Sequence, residues 1–239
     1  MTKPSLEFES RLWQQYRHVA GIDEVGRGAL AGPVVTATVV LPTFFSSNLI
    51  PDINDSKLLT PKKRLHLAKL ISQHALYTSI NTTPVSTINR LGINKAIFIS
   101  MRKSLKQLPH CDHVFVDGYR IPHLLHLSRH QTPIIKGDTI SISIAAASIL
   151  AKTYRDQLMD QLHTHLPYYD WSQNKGYGTA KHTLALREYG PSPHTVTYLS
   201  EKFLHHQPLK SALSCESQSS SPPLLLVAIK IQFPPFSPL

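Results

Sequence analysis

Gly21-Ile22-Asp23-Glu24-Val25-Gly26-Arg27-Gly28 carries two adjacent acids on an apolar run, followed directly by a glycine-arginine-glycine turn. Carboxylates at the end of a buried strand are costly unless a positive group lies against them. The turn offers backbone N–H groups and a guanidinium, both of which bind phosphate. Acids that suit a metal ion, next to a turn that suits an anion, indicate metal-assisted phosphoryl chemistry.

Outward from this stretch, the sequence pattern predicts an α/β fold. β-branched runs at 19–25 and 32–41 flank the turn and predict a hairpin. Further strands are predicted at 77–83, 113–117 and 133–136, and helices from Pro61, over 86–108 with a division at Gly92, over 143–165 and over 180–189. The helix from Pro61, with Thr60 as N-cap, is predicted to bury Leu65, Ala68, Ile71 and Ala75. A hairpin followed by alternating strands and helices predicts a mixed sheet with helices on both faces.

Three apolar runs each end in an acid, namely Asp23-Glu24, Asp117 and Asp138. Ligands gather where the strands of an α/β sheet end, so these acids are predicted to share one site. Side chains alternate along a strand, so Asp23 and Glu24 converge only if the strand ends or bulges at Glu24. Each acid alone fits a turn or helix cap as well, and Asp138 in particular could cap the segment after it.

Composition narrows the class of partner. The chain has 239 residues and a formal net charge of +10, which favours an anionic partner, with nucleic acid ahead of an acidic membrane surface. The net charge alone does not establish such a partner, because a soluble basic protein without one can carry the same charge. Cys111 and Cys215 are too few for a disulfide framework or a cysteine zinc site, which favours a reducing compartment. With neither a signal-like N-terminus nor a run of ~18 apolar residues, a soluble cytoplasmic protein is predicted.

Six motifs occur in one order over about residues 18–193 and closely resemble those of prokaryotic ribonuclease HII. They are the stretch at 21–28, Asn-Asp-Ser-Lys at 54–57, Val-Asp-Gly at 116–118, Lys-Gly-Asp at 136–138, Ala-Ala-Ser-Ile-Leu-Ala-Lys at 146–152 with Arg155-Asp156, and Gly-Tyr-Gly-Thr at 176–179. The resemblance implies an RNase H-like fold, with a five-stranded mixed sheet and a C-terminal helical region. It also implies hydrolysis of RNA in RNA–DNA hybrids and incision 5′ of single ribonucleotides in duplex DNA, leaving 3′-hydroxyl and 5′-phosphate ends.

By position, the resemblance assigns catalysis and metal binding to four acids: Asp23, Glu24, Asp117 and Asp138. They would hold two Mg²⁺ or Mn²⁺ ions, which prefer oxygen ligands, with Asp23 as the bridging ligand. Substrate-binding roles fall on Gly26, Arg27, Gly28, Tyr177, Lys57 and Lys152. The turn would read the ribose 2′-hydroxyl and Tyr177 would pack on the sugar, contacts that separate RNA from DNA.

Several of these residues have a plainer interpretation. Arg27 could form a salt bridge to a nearby acid instead of contacting phosphate, and Tyr177 could be an ordinary aromatic at the rim. Ser148, Lys152 and Arg155 lie on one helical face, a polar stripe that is usually solvated. Asp55 is expected to form a turn. Finally, His182, Lys175 and Lys181 are candidate contacts to the nucleic-acid backbone.

The predicted boundaries are an N-terminal extension at 1–17, a catalytic domain at 18–206 and a Ser/Pro-rich, disordered tail at 207–239. Within the tail, the apolar Leu224–Ile229 could instead form a strand or bind a partner. Residues 195–203 depart from the family's basic-aromatic segment. The chain is predicted to act as a monomer in DNA replication and repair.

Two other functions compete with this prediction. A non-catalytic hybrid-binding module is disfavoured because clustered acids would repel both one another and phosphate. A ribonuclease HIII-like nuclease typically has an extra N-terminal domain and lacks the arginine of the turn, whereas here about 18 residues precede the first strand.

Overall fold

A mixed sheet organises the protein, whose computed structural model describes residues 3–127 and 130–204. Its described strands are β1 (Val19–Val25), β2 (Val34–Val40), β3 (Tyr77–Thr83), β4 (His113–Asp117) and β5 (Gln131–Ile134), in the order β3-β2-β1-β4-β5. β2 runs antiparallel to both β1 and β3, whereas β4 runs parallel to β1 and β5 parallel to β4. The predicted five-stranded mixed sheet and hairpin are confirmed.

Helices cover both faces of this sheet. The described helices are α1 (Glu7–Leu12), α2 (Pro61–His74), α3 (Val85–Leu91), α4 (Ile93–Lys106), α5 (Ile142–His165), α6 (Trp171–Asn174), α7 (Ala180–Tyr189) and α8 (Thr197–Ser200). α5 packs on β1 and β2 with α2 outside it, and α4 packs on the opposite face against β2 and β3. No helix in the described ranges has the length and apolarity needed to span a bilayer. The predicted tail at 207–239, with Leu224–Ile229, lies outside the described residues.

Local signals explain where the helices begin and end. The Thr60 side chain accepts from the backbone N–H of Lys63, and Pro61 occupies the first helical position of α2. Gly92, at φ 80°, separates α3 from α4, as predicted. Ser141 caps α5 and Thr179 caps α7 in the same way. Because each signal depends on a few neighbouring residues, these boundaries are readable from sequence.

Two predicted details are wrong because they depend on packing. Leu65 is 40% exposed and Leu67 is buried in its place, since α2 turns Arg64 inward to donate to the carbonyls of Ser56 and Leu59. β5 spans Gln131–Ile134 and not 133–136, because its backbone pairs with β4 from Gln131, opposite Val114, to Ile134, opposite Asp117.

The segment before β1 is anchored to the start of α5. Glu9 on α1 is fully buried, and one of its carboxylate oxygens accepts from the Ser141 hydroxyl at 2.5 Å, the Ser143 hydroxyl at 2.7 Å and the Ser143 N–H at 3.0 Å. Ser5 adds backbone hydrogen bonds with Ile140 and Ile142. A negative carboxylate at the N-terminus of a long helix is also favoured by the helix dipole. Glu9 thus fixes the beginning of α5 from outside the helix.

We expect Glu9→Ala to lower the free energy of unfolding by about 2 kcal/mol, because it leaves buried donors of Ser141 and Ser143 without their acceptor. Urea denaturation measures the change. Glu7→Ala on the same helix is the matched control, since Glu7 only pairs with Arg11 at the exposed surface. Equal losses in the two variants would contradict the anchoring role of Glu9.

Candidate active site

The four candidate acids meet at the carboxyl end of the parallel strands. The ladder between β1 and β4 ends with the pair Ile22 and Val116, so Asp23 and Asp117 lie next to each other just beyond it. Asp138 lies in a 3-10 turn at Gly137–Thr139, and the N–H of Gly137 donates to Asp117 at 2.6 Å. The three acid-bearing segments therefore meet at one end of the sheet, with Asp138 in the turn that follows β5.

The predicted end or bulge of β1 at Glu24 is wrong. β1 stays in register with β2 through the pair Val25 and Val35, so Glu24 is an ordinary strand residue opposite Thr36. Alternation then sends Asp23 toward α5, where it lies beside Ser148, and Glu24 toward the other face. The two carboxylates nevertheless share a neighbour, because the charge of Asp117, just beyond the last β1–β4 pair, raises the pKa of both.

Burial and crowding raise the pKa values of three of these acids, Asp23, Glu24 and Asp117. Burial raises the pKa of Asp23 well above its ordinary value, and the charges of Glu24 and Asp117 raise it further. For Glu24, burial and the Asp117 charge raise the pKa to about 7. Burial and the Asp138 charge likewise raise the pKa of Asp117. Like charges this close favour the neutral forms until a cation compensates them.

The donor set suits a hard divalent ion in its chemistry. All four side chains supply carboxylate oxygens, the ligands that Mg²⁺ and Mn²⁺ prefer. Across residues 3–127 and 130–204, no three carboxylate, histidine or cysteine side chains are gathered closely enough to hold a metal ion as they stand. The acids are therefore electrostatic neighbours that an ion would have to draw together, and the raised pKa values show that a cation would relieve their repulsion.

Lys57 brings a positive charge to this cluster. Its ammonium lies 3.6 Å from a carboxylate oxygen of Asp138. Burial lowers the pKa of Lys57, but the charges of Asp138, Asp55 and Asp23 outweigh it and the pKa is raised overall. Its backbone N–H donates to the Asp55 side chain at 2.9 Å, which confirms the turn-forming role of Asp55. Lys57 is thus held charged beside the acids.

The glycine-arginine-glycine turn has two different glycines. Gly26 has φ 102°, and a Cβ there would lie 2.7 Å from the Pro33 carbonyl oxygen, so the fold itself requires glycine. At Gly28 an added Cβ meets no described atom within 4 Å. The half-exposed Arg27 lies 3.9 Å from Glu24 and donates to the Asn94 side-chain oxygen at 3.1 Å. The salt-bridge alternative for Arg27 is therefore present in the structure.

Tyr177 lies across from this turn, against two cations of α5. Its ring centre is 5.6 Å from the Lys152 ammonium and 5.5 Å from the Arg155 guanidinium carbon. Lys152 also pairs with Asp156 at 2.7 Å, and burial lowers its pKa. The lysine is thus tied to an internal network with only a small exposed fraction.

The alternative of a solvated polar stripe on α5 is wrong for two of its three members. Ser148 is buried and hydrogen-bonded to the Ser56 hydroxyl at 2.9 Å, and Arg155 is fully buried. Sequence reasoning missed the position of Arg155. The sequence carries no local signal for it, because Arg155 lies between Tyr154 and Asp156 and its acceptors belong to other segments.

His182 is not a surface contact to nucleic acid. It is fully buried, accepts from the Trp171 indole N–H at 3.1 Å and donates to the Tyr177 carbonyl oxygen at 2.9 Å. Burial lowers its pKa, which favours this neutral form. Lys175 pairs with Asp160 and Lys181 with Asp170. Through its hydrogen bond to the Tyr177 carbonyl, His182 therefore stabilises the backbone of the turn that contains Tyr177.

The segment at 195–203, which departs from the family pattern, begins against the glycine-arginine-glycine turn. The N–H of Val196 donates to the Leu30 carbonyl at 2.7 Å, and the N–H of Gly32 donates to the His194 carbonyl at 2.9 Å. The start of this segment thus holds the chain that leaves the turn.

Comparison with known proteins gives one family. The family model for ribonuclease HII matches residues 20–204. Ribonuclease HII of Synechococcus sp. (strain JA-3-3Ab) is 46% identical over 194 residues, covering 81% of this chain and 86% of that protein. Among solved structures, ribonuclease H2 from Pyrococcus horikoshii OT3 has a TM-score of 0.64 at 22% identity, covering 78% of this chain and 98% of that one. Bst ribonuclease HIII in complex with Mn²⁺ also has a TM-score of 0.64, at 18% identity, covering 79% of this chain and 69% of that one.

The two solved structures show the shared RNase H-like fold, while the family model and the Synechococcus relative identify the group. The match extends from β1 to the last described residue and includes every candidate acid and the tyrosine turn. The chain is therefore a member of the ribonuclease HII family.

Proposed function

We propose that this protein is a metal-dependent endonuclease that cleaves the RNA strand of RNA–DNA hybrids and incises 5′ of single ribonucleotides in duplex DNA. The products would carry 3′-hydroxyl and 5′-phosphate ends. The observation that carries the proposal is the meeting of four carboxylates, at the end of the sheet, with the turn at 26–28. Family membership supports hydrolysis of RNA–DNA hybrids.

The acids have the chemistry for the metal part of this proposal. Asp23, Glu24, Asp117 and Asp138 are the proposed ligands, with Asp23 central because three other acids act on its pKa. Two bound Mg²⁺ or Mn²⁺ ions would activate a water and stabilise the departing 3′ oxygen. The Mn²⁺ complex of Bst ribonuclease HIII, which shares the fold, is consistent with such ions. Lys57 beside Asp138 would offset negative charge where a phosphate approaches.

We assign recognition of the ribonucleotide to the turn at 26–28 and to Tyr177. The open space at Gly28 allows a sugar to approach the backbone closely, where an N–H or carbonyl can read a 2′-hydroxyl. Tyr177 would pack on the same sugar, and Arg27 and Lys152 would contact phosphates nearby. Such a site would serve removal of ribonucleotides and RNA primers from DNA. We further propose that the protein acts in the cytoplasm and as a monomer.

The other candidate functions are weaker. In a hybrid-binding module, the buried acids would weaken binding, because they already repel one another, as their raised pKa values indicate, and would also repel phosphate. The ribonuclease HIII alternative is disfavoured because the family model that matches is that of ribonuclease HII and because Arg27 is present in the turn.

The test is incubation with a DNA duplex that contains one ribonucleotide, with Mg²⁺, with Mn²⁺ and with a chelator. We expect a single cut on the 5′ side of the ribonucleotide that appears only with a divalent ion. An all-DNA duplex of the same sequence is the control. Binding of the duplex without any metal-dependent cut would favour the hybrid-binding module instead.

We expect Tyr177→Ala to reduce incision at the single ribonucleotide by about tenfold, equivalent to about 1.4 kcal/mol of transition-state stabilisation. The loss follows from removing the ring that would pack on the sugar. Initial rates under saturating divalent ion measure it. Tyr168→Ala is the matched control, since Tyr168 is an exposed tyrosine stacked on Tyr189. Unchanged incision rates in Tyr177→Ala would show that Tyr177 does not contribute to recognition and is an ordinary aromatic at the rim.

A further inference from the structure

Arg155 is a fully buried guanidinium held by carbonyl oxygens. It donates to Pro33 at 2.9 Å, to Ala31 at 2.9 Å and to Lys175 at 2.7 Å. Within the described chain, the salt bridges include none to Arg155, and the neighbouring Asp156 carboxylate pairs with other cations. A buried charge is tolerated only when its donors are satisfied, so these three carbonyls determine where Arg155 can lie.

The three carbonyls lie directly beside the two segments proposed to recognise the ribonucleotide. Ala31 and Pro33 follow the turn at 26–28, and Lys175 immediately precedes Gly176-Tyr177-Gly178. The Tyr177 ring faces the guanidinium at 5.5 Å. An added Cβ at Gly26 would lie 2.6 Å from the Arg155 Nε atom. Arg155 therefore contacts both recognition segments at once.

Backbone contacts join the same two segments around this side chain. The N–H groups of Leu30 and Ala31 both donate to the Gly176 carbonyl, at 2.8 and 3.1 Å. Gly176 has φ 84°, and a Cβ there would lie 2.2 Å from the Ala31 carbonyl oxygen. This close approach leaves little room for one segment to shift while the other stays in place.

We propose that Arg155 is a positioning residue that couples the turn at 26–28 to Tyr177, so that reading of the 2′-hydroxyl and packing on its sugar act as one unit. The inference rests on the proposed function. The planar fork of arginine presents several donors in a fixed geometry, which a lysine ammonium cannot reproduce. Discrimination between RNA and DNA sugars then depends on Arg155, although Arg155 itself does not contact the sugar.

Arg155→Lys tests the role of the fork while keeping the charge. We expect the ratio of single-ribonucleotide incision to cleavage of a long RNA–DNA hybrid to fall by about fivefold, mainly through kcat. Arg64→Lys is the matched control, because Arg64 is also a buried guanidinium bonded to carbonyls and, although it also pairs with Asp156, it contacts neither recognition segment. Thermal melting of both variants separates lost stability from lost discrimination. An unchanged ratio in folded Arg155→Lys, or an equal fall in Arg64→Lys, overturns the proposal.

A double-mutant cycle tests the coupling itself, and its first half, in the native background, does not require Arg155→Lys to fold. Gly28→Ala adds a methyl group where no described atom lies within 4 Å, and Tyr177→Phe keeps the ring against Arg155. In the native background we expect the two effects on incision to deviate from additivity by about threefold or more. In Arg155→Lys we expect additivity.

Additive effects in the native background, or the same deviation in both backgrounds, contradict the coupling. These results require incision by the unmodified chain, so they differ from failure of the proposed function, in which that chain makes no metal-dependent cut at all.

Discussion

Replacing Asp23 with asparagine is expected to lower cleavage of an RNA–DNA hybrid by about a thousandfold or more, since a bound metal contributes several kcal/mol to the transition state. Asparagine keeps the shape of the side chain and its contact with Ser148 but removes the negative charge. Asp23 is the residue on which Glu24, Asp117 and Asp138 all act. Its neutral replacement should therefore weaken ion binding more than any other single change in the cluster.

Hybrid binding should remain in Asp23→Asn, because removing a negative charge does not repel phosphate. Cleavage rates, hybrid affinity in chelator and Mn²⁺ affinity by calorimetry together separate chemistry from binding. Asp52→Asn removes the same charge at an exposed position paired with Lys63 and is the control. Cleavage at the native rate by Asp23→Asn would show that the metal-binding assignment is wrong.

The second large effect concerns stability and pH. In chelator, we expect the protein to lose about 3 kcal/mol of folding free energy through Glu24 between about pH 4.5 and pH 7, because its pKa is raised from 4.5 to about 7. The folded state keeps the proton of Glu24 to higher pH than the unfolded chain does. Stability is therefore fully present below the unfolded pKa and is lost as the pH rises through the folded pKa.

Glu24→Gln should remove this loss, so that its stability falls less steeply with pH than that of the native chain. Urea denaturation at several pH values in chelator measures the difference, and Glu7→Gln at the exposed surface of α1 is the control. Added Mn²⁺ should restore stability at neutral pH in the native chain more than in Glu24→Gln. Parallel pH profiles of stability for the native chain and Glu24→Gln would show that the folded protein does not disfavour the ionised form of Glu24.

Much of the architecture was predictable because its signals are local. Thr60 with Pro61 gives the start of α2, and Gly92 divides α3 from α4. Alternating β-branched residues give the strands that pair as β1, β2 and β3. The candidate acids were also predictable as a group, since three runs that each end in an acid meet wherever parallel strands end together.

Other features required the packed chain. Whether β1 ends at Glu24 depends on how far β2 continues beside it, and that register belongs to two strands together. Similarly, Leu65 and Leu67 fit the periodicity of α2 almost equally, and the inward turn of Arg64 toward Ser56 and Leu59 decides between them.

Residue types in a fixed order along the chain were enough to indicate the family, the mixed sheet and the four candidate acids at one end of it. The burial of Arg155, in contrast, is a result of packing and could not be predicted from its place on one helical face. The reason is physical: a buried guanidinium is stable only where carbonyls from distant segments converge on it, here from Ala31, Pro33 and Lys175. A local pattern on α5 does not indicate these acceptors, because two of them lie more than a hundred residues away and the third lies on the segment after the helix.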